Sequence, residues 1–304
     1  MRNSNMQNTI MKGQGFIAAL DQSGGSTPKA LAAYGVAESE YSGEDAMYAK
    51  IHEMRSRIIK APAFSGGKVI GAILFEKTMD AEIDGTPTAE YLWKSQGVVP
   101  FLKVDKGLED EAHGVQLMKA MPELDGLLER AVAKGIYGTK MRSTINSANA
   151  EGIAAIVAQQ FEVGKQIIAH GLVPIIEPEV NIHAADKAEC EALLNAEIKK
   201  HLDLLNDDQH VMLKLTLPEQ ANFYSDLIVH KNVQRVVALS GGYDLDEACK
   251  RLSENDGMIA SFSRALSNDL RADQTDAEFN ATLQNVINKI QAASVAKGKA
   301  SQAA

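Results

Sequence analysis

Leu172-Val-Pro-Ile-Ile-Glu-Pro-Glu179 runs apolar for five residues and then ends in two carboxylates spaced two apart. A short, continuous apolar run of this kind fits a strand buried on both faces of a parallel sheet. Seven other stretches are built alike: residues 15–21, 69–76, 98–105, 136–142, 210–216, 233–240 and 258–264. The segments between them read as helices. Residues 151–169 and 187–205 carry Ile, Val, Phe or Leu at three- and four-residue spacing, and residues 276–292 place Phe279, Leu283, Val286, Ile287 and Ile290 likewise. Eight strands, each followed by a helix, predict an α/β chain folded as one (β/α)8 TIM barrel over residues 1–304. Short polar tails are expected at 1–12 and 294–304. A doubly wound open sheet is the alternative, but no Gly-rich nucleotide turn follows any strand. Gly13-Gln-Gly15-Phe-Ile-Ala18 fits the pattern G-x-G-x-x-A, yet it precedes a strand, whereas a dinucleotide turn must follow one and open a helix.

Composition narrows the function. The 304 residues carry 31 basic and 40 acidic side chains, a formal net charge of −9. That balance argues against general binding to nucleic acid or to an anionic membrane. No apolar run is long enough to span a bilayer, and the polar start lacks the apolar segment of a secretory signal. Cys190 and Cys249 stand far apart with no motif around them, which suggests a reducing compartment and excludes a disulfide scaffold. A cytoplasmic enzyme is the expectation. The seven histidines form no H-x-H or H-E-x-x-H pattern, so no metal site is expected.

The chemistry sits where the apolar runs end. They terminate in Asp21, Glu76, Lys103-Val-Asp105, Lys140-Met-Arg142, Glu177-Pro-Glu179, Lys214, Ser240-Gly-Gly242 and Ser261-Phe-Ser-Arg264. In a parallel barrel all these ends share one face, where active sites form. Residues two apart on a strand point the same way, so Lys103 can join Asp105, Lys140 can join Arg142, and Glu177 can join Glu179. Charges gathered in this way shift one another's protonation, which acid–base catalysis uses. Lys214 lies in Val-Met-Leu-Lys-Leu-Thr, the most apolar setting of the three strand lysines. Burial disfavours an ammonium, and a free amine attacks carbonyls. Glu177 and Glu179 on the preceding strand can move the protons that imine formation requires. Asp21-Gln-Ser23-Gly-Gly-Ser26 at one end, and Ser240-Gly-Gly242 with Ser263-Arg264 at the other, offer hydroxyls, glycine amides and a guanidinium for anions. Two such sites across one cationic mouth imply a substrate phosphorylated at both ends.

Seven segments in order carry a resemblance over residues 13–292. They are Gly15-Phe-Ile-Ala-Ala-Leu-Asp-Gln-Ser-Gly-Gly-Ser26, Leu102-Lys-Val-Asp-Lys-Gly107, Thr139-Lys-Met-Arg142, Val173-Pro-Ile-Ile-Glu-Pro-Glu179, Leu213-Lys-Leu215, Leu239-Ser-Gly-Gly242 and Ser261-Phe-Ser-Arg-Ala-Leu266. With these the chain resembles class I fructose-1,6-bisphosphate aldolase in its shorter bacterial form. The resemblance implies reversible cleavage of fructose 1,6-bisphosphate to dihydroxyacetone phosphate and glyceraldehyde 3-phosphate in glycolysis and gluconeogenesis, without cofactor or metal. It places Lys214 on the lysine that forms the Schiff base and Glu177 on the carboxylate that shuttles its protons. Glu179 falls on that carboxylate's neighbour, Asp21 on the base for the C4 hydroxyl, and Lys140 on the lysine assisting imine formation. It puts Ser240, Gly241, Gly242, Ser263 and Arg264 at the C1 phosphate, and Ser23, Ser26, Lys103 and Arg142 at the C6 phosphate.

Three positions depart from the family pattern. Ala30 replaces an arginine that many members carry after the lysine matching Lys29. Gln22 replaces the acid that usually follows the strand-one aspartate. Animal members end in a proton-transferring tyrosine, but the last tyrosine here is Tyr243. Glu177, or a water held by it, is expected to supply that proton instead. The alternatives are another Schiff-base barrel aldolase acting on a different sugar phosphate and a sugar-phosphate-binding protein without turnover. Self-association into a homo-oligomer is compatible with the sequence, which sets no order for it.

Overall fold

Every residue of the strands Phe16–Leu20, Val69–Leu74 and Val211–Thr216 is buried, as two-sided burial in a parallel sheet requires. In the computed structural model, which describes residues 3–296, eight such strands lie in sequence order. They are β1 (Phe16–Leu20), β2 (Val69–Leu74), β3 (Val99–Lys103), β4 (Gly138–Ile145), β5 (Val173–Val180), β6 (Val211–Thr216), β7 (Val233–Leu239) and β8 (Ile259–Ala260). Neighbours pair in parallel, with Lys103 opposite Lys140, Arg142 opposite Glu177, and Lys214 opposite Val237. The amide of Ala19 donates to the carbonyl of Phe262 at 3.3 Å, which brings β1 against the end of β8 and closes the ring. The chain is a single-domain α/β TIM barrel.

Among the described residues twelve α-helices accompany the strands: α1 (Ser4–Lys12), α2 (Ser26–Tyr34), α3 (Gly43–Lys60), α4 (Glu76–Asp80), α5 (Thr88–Gln96), α6 (Leu124–Ala133), α7 (Ala150–Ala169), α8 (Lys187–Asp203), α9 (Ser225–Ile228), α10 (Leu245–Ser253), α11 (Arg264–Ser267) and α12 (Asp276–Val295). Their apolar stripes pack on the outer face of the strands, as Ile153, Ile156, Val157, Phe161 and Ile167 of α7 do.

The two ends of the chain differ from the expected tails. Residues 4–12 form α1, whose first amides, those of Asn5 and Met6, donate to the Asn3 side chain. Met6 and Ile10, one helical turn apart, join the apolar core with Ile17, Phe101 and Ile175, and Arg235 Nε donates to the Ile10 carbonyl at 2.9 Å. Two apolar residues in a polar stretch thus suffice to seat the helix. At the other end Ser294 and Val295 still belong to α12, and the buried Ser294 hydroxyl accepts the Ala260 amide at 3.0 Å. Residues 297–304 of the expected tail lie outside the described residues.

The interior of the barrel is layered. Ile17 and Ala19 of β1, Val99 and Phe101 of β3, Val173 and Ile175 of β5, and Met212 of β6 form one apolar cluster. The next inward positions, two residues further along each strand, are Asp21, Lys103, Glu177 and Lys214. The same alternation that builds the core therefore delivers charges to its C-terminal rim.

Candidate active site

Four side chains at that rim form a line of ion pairs. Lys214 Nζ lies 2.9 Å from Glu177 Oε1, and Lys140 Nζ lies 2.9 Å from Glu177 Oε2 and 2.7 Å from Asp21 Oδ2. Lys140, Glu177 and Lys214 are each 4% exposed or less, and Asp21 8%, so the pairs are deeply screened from water. Burial opposes ionisation of both carboxylates. The ammonium groups of Lys140 and Lys214 outweigh it and hold Asp21 well below the usual carboxylate range, with Glu177 lowered in the same way. Burial likewise opposes the charge on Lys140, but the carboxylates of Asp21 and Glu177 push its pKa far above the ordinary lysine value. Between two carboxylates, Lys140 is strongly favoured as a cation. Among the described residues Lys214 has a single ion-pair partner, Glu177, and it borders the cavity. The α7 helix fixes the backbone here: Gln160 Oε1 accepts the Glu177 amide at 2.8 Å, and Gln160 Nε2 donates to Ser143 Oγ at 3.0 Å.

A cavity of about 540 Å3 opens above this line. Asp21, Ser23 and Ser26 line it from the β1 side, and Lys103, Lys140 and Arg142 from β3 and β4. Glu177, Glu179 and Lys214 form its floor and wall, with Ser240, Gly241, Ser263 and Arg264 at the β7–β8 side. Gly242 stands just behind: a Cβ there would lie 3.6 Å from Arg264 Nη2. Gly241 has φ of 63°, and a Cβ on it would meet Ile182 Cγ2 at 2.6 Å, so the turn admits only glycine. Six basic and four acidic side chains face the cavity, a local excess of cations in a chain whose net charge is −9. Several are already paired. Lys103 Nζ donates to Asp105 Oδ1 at 2.7 Å, Arg142 is in close contact with Glu179, and Ser26 Oγ is bonded within its own turn to Ser23. Burial works against the Arg142 charge, yet Glu179 and Glu177 raise its pKa. Lys29 and Arg264 face the cavity with no ion pair among the described residues.

Glu76 is not at this mouth. β2 stops at Leu74, Phe75 turns the chain, and Glu76 opens α4, where it pairs with Lys106 at 2.8 Å and with Arg130. Three residues important to the site are missing from the strand-end reading. Lys29 lies on the face of α2 that also turns Ser26, Ala30 and Ala33 to the cavity. Gln160 is a polar residue in the apolar stripe of α7. Arg55 sits on the buried stripe of α3 with Ile51, Met54, Ile58 and Ile59. Burial lowers its pKa to about 10, against the pull of Asp21 and Tyr48, so it remains a cation at neutral pH. A charged residue at core spacing was the available signal for Arg55. Among the described residues no three His, Cys, Asp or Glu side chains gather where they could hold a metal ion, and no helix is long and apolar enough to cross a membrane.

Comparison with known proteins places this geometry. The profile of the family fructose-bisphosphate aldolase class-I matches residues 3–225. Over 281 residues the chain is 62% identical to fructose-bisphosphate aldolase class 1 of a Synechocystis species, covering 92% of this chain and 94% of the relative. Among solved structures, fructose-bisphosphate aldolase from Plasmodium falciparum, crystallised with TRAP and a small-molecule inhibitor, superposes with a TM-score of 0.74 at 19% identity. That match covers 97% of this chain and 94% of the other. Cgl0159 from Corynebacterium glutamicum gives a TM-score of 0.55 at 13% identity, covering 96% of this chain and 92% of its own. The two structures share the fold; the profile and the Synechocystis relative establish that this chain belongs to the class I fructose-bisphosphate aldolases.

Proposed function

We propose that the chain cleaves fructose 1,6-bisphosphate reversibly to dihydroxyacetone phosphate and glyceraldehyde 3-phosphate through an imine on Lys214, as a glycolytic and gluconeogenic enzyme of the cytoplasm. The observation that carries the assignment of Lys214 is the ion-pair line Lys214–Glu177–Lys140–Asp21. Of the two lysines in it, Lys140 is held between two carboxylates and kept charged. In this reading Lys214 Nζ adds to the C2 carbonyl, Glu177 moves the protons, and water leaves to give a protonated imine. Asp21 takes the C4 hydroxyl proton, the C3–C4 bond breaks, and its electron pair flows into the imine. The aldehyde departs, Asp21 releases its proton to water in the cavity, Glu177 or a water on it takes up a proton from there and passes it to C3 of the enamine, and hydrolysis frees the second product. Lys140 assists imine formation and stabilises Asp21 and Glu177 whenever they carry negative charge. Ser240, Gly241, Gly242, Ser263 and Arg264 hold the C1 phosphate. Ser23, Ser26, Lys103 and Arg142 hold the C6 phosphate, and Glu179 keeps Arg142 in place.

Borohydride added with dihydroxyacetone phosphate reduces an imine to a stable amine. It should inactivate the protein and label Lys214, and a coupled assay should register cleavage of fructose 1,6-bisphosphate that persists in EDTA. A label mapped to Lys140 or Lys103 would overturn the assignment. Labelling without cleavage of this substrate would indicate a different sugar phosphate, and absence of both would indicate binding without turnover.

A further inference from the structure

Arg55 is a cation 1% exposed, and among the described residues no carboxylate is within ion-pair distance of its guanidinium. An unpaired buried charge is costly unless its hydrogen bonds are placed for a purpose. Its Nη1 donates to Thr78 Oγ1 at 2.7 Å, and its Nη2 donates to the Gln22 carbonyl at 2.5 Å and to Gln22 Oε1 at 3.3 Å. Gln22 in turn donates from Nε2 to Ser263 Oγ at 2.8 Å. This bridge spans the β1–β8 seam next to the Ala19–Phe262 contact.

The chemistry of the three groups fixes a direction. A guanidinium only donates, so it demands an oxygen from Gln22 and settles which way the amide faces. The amide nitrogen is then left to point at Ser263, whose hydroxyl accepts that bond. A serine hydroxyl has one proton and two lone pairs. With a lone pair occupied by Gln22, its proton is free for an acceptor in the cavity, which Ser263 lines beside Arg264. We propose that Arg55 is a positioning residue that orients the Gln22 amide, so that the Ser263 hydroxyl presents its proton to the anionic group bound in the cavity. This rests on the reading above that Ser263 and Arg264 hold the C1 phosphate.

A carboxylate at position 22 would still satisfy Arg55, but it has no proton for Ser263 and would draw the serine proton to itself. The test is the concentration dependence of borohydride inactivation by dihydroxyacetone phosphate, read as a half-saturating concentration and a limiting rate. Ser263→Ala should raise the half-saturating concentration about tenfold or more, with the limiting rate little changed. Gln22→Glu should raise it too, and in that background adding Ser263→Ala should cost about twofold or less, because the hydroxyl is already diverted. If Gln22→Glu acted only by repelling the anion through its new charge, the cost of Ser263→Ala would be undiminished in that background. Arg55→Lys, whose single nitrogen cannot reproduce the planar fork that reaches Thr78 from Nη1 and Gln22 from Nη2, should reproduce the weakened binding in a folded protein. Equal costs of Ser263→Ala with and without Gln22→Glu, or wild-type half-saturation in Arg55→Lys, would overturn the proposal. If the unaltered protein is not inactivated at all, the imine reading fails instead.

Discussion

The barrel contains two clusters in which a buried lysine stands between two carboxylates. At the mouth, Lys140 bridges Asp21 and Glu177. At the N-terminus of α8, Lys187 lies 2.5 Å from Glu191 Oε1 and 3.0 Å from Glu219 Oε1, and it also donates to the Leu217 carbonyl at 2.9 Å. Both lysines are 4% exposed, so burial alone does not tell them apart. Their carboxylates do. Burial raises the pKa of Glu191 and its one ammonium does not overcome that, whereas two ammonium groups lower Glu177 despite the same penalty. The environments differ as well. All three protons of Lys187 have protein acceptors, and it stands away from the cavity at the mouth. Lys214 at the mouth has one carboxylate and borders open volume. A buried ion pair therefore marks a reactive site when its groups face space for a substrate and their charges are over-compensated. It marks a structural tie when every donor is spent on the protein.

The largest test of this contrast is Lys214→Arg. A guanidinium does not deprotonate to supply an amine, so turnover should drop by at least about 10³-fold while the urea midpoint stays near that of the unaltered protein. Lys187→Met should do the reverse. It strands Glu191 beneath the surface, which costs about 3–5 kcal/mol in denaturant titrations, and the double change Lys187→Met/Glu191→Met should recover most of it. If Lys187→Met left stability intact and abolished imine trapping, the two clusters would have to exchange roles.

The mouth cluster was legible in the sequence because a strand has a period of two. Asp21, Lys103, Glu177 and Lys214 simply continue the inward apolar positions of their strands, and Lys140 and Arg142 follow from the same rule. Glu76 broke it, since β2 ends two residues earlier and the carboxylate passes to a helix that faces another pocket. The Lys187 cluster was invisible: Lys187 and Glu191 are an ordinary i, i+4 pair, and only the approach of Glu219 and Leu217 from another loop buries them. Helix α1 was missed because its burial depends on two residues and on the open end of a barrel assembled from distant strands. Arg55 was visible in principle as a charge on an apolar stripe, but its partners Gln22 and Thr78 come from segments the stripe does not predict.

Arg142 supplies a smaller and more selective test at the mouth. It belongs to the C6 end of the proposed site, so Arg142→Ala should weaken fructose 1,6-bisphosphate by about 1.5–3 kcal/mol relative to fructose 1-phosphate. Equal losses on the two substrates would mean that Arg142 sits at the shared C1 end, and the polarity of the cavity would be reversed.

The smallest effect concerns pH and separates the two clusters by sign. Asp21 and Glu177 have folded pKa values below their ordinary ones, so near the ordinary carboxylate range the unfolded chain binds more protons than the folded one. Their contribution is present above that range and is lost as pH falls through the folded values. Glu191 is raised, so the folded chain binds the extra proton, and stability drains away as pH rises from the ordinary glutamate value, about 4.3, through the raised one. Glu191→Gln keeps one oxygen for Lys187, gives up the acceptor of the Glu219 amide at a cost that does not vary with pH, and removes this titration. As pH rises above the ordinary glutamate value, about 4.3, the urea midpoint of Glu191→Gln should therefore climb relative to the unaltered protein. Glu177→Gln should lose ground as pH rises from more acid values to the ordinary carboxylate range, because it discards a carboxylate that two lysines favour. Should Glu191→Gln also fall behind as pH rises, Lys187 would be overcoming the burial penalty after all, and the electrostatic distinction between the two clusters would not hold.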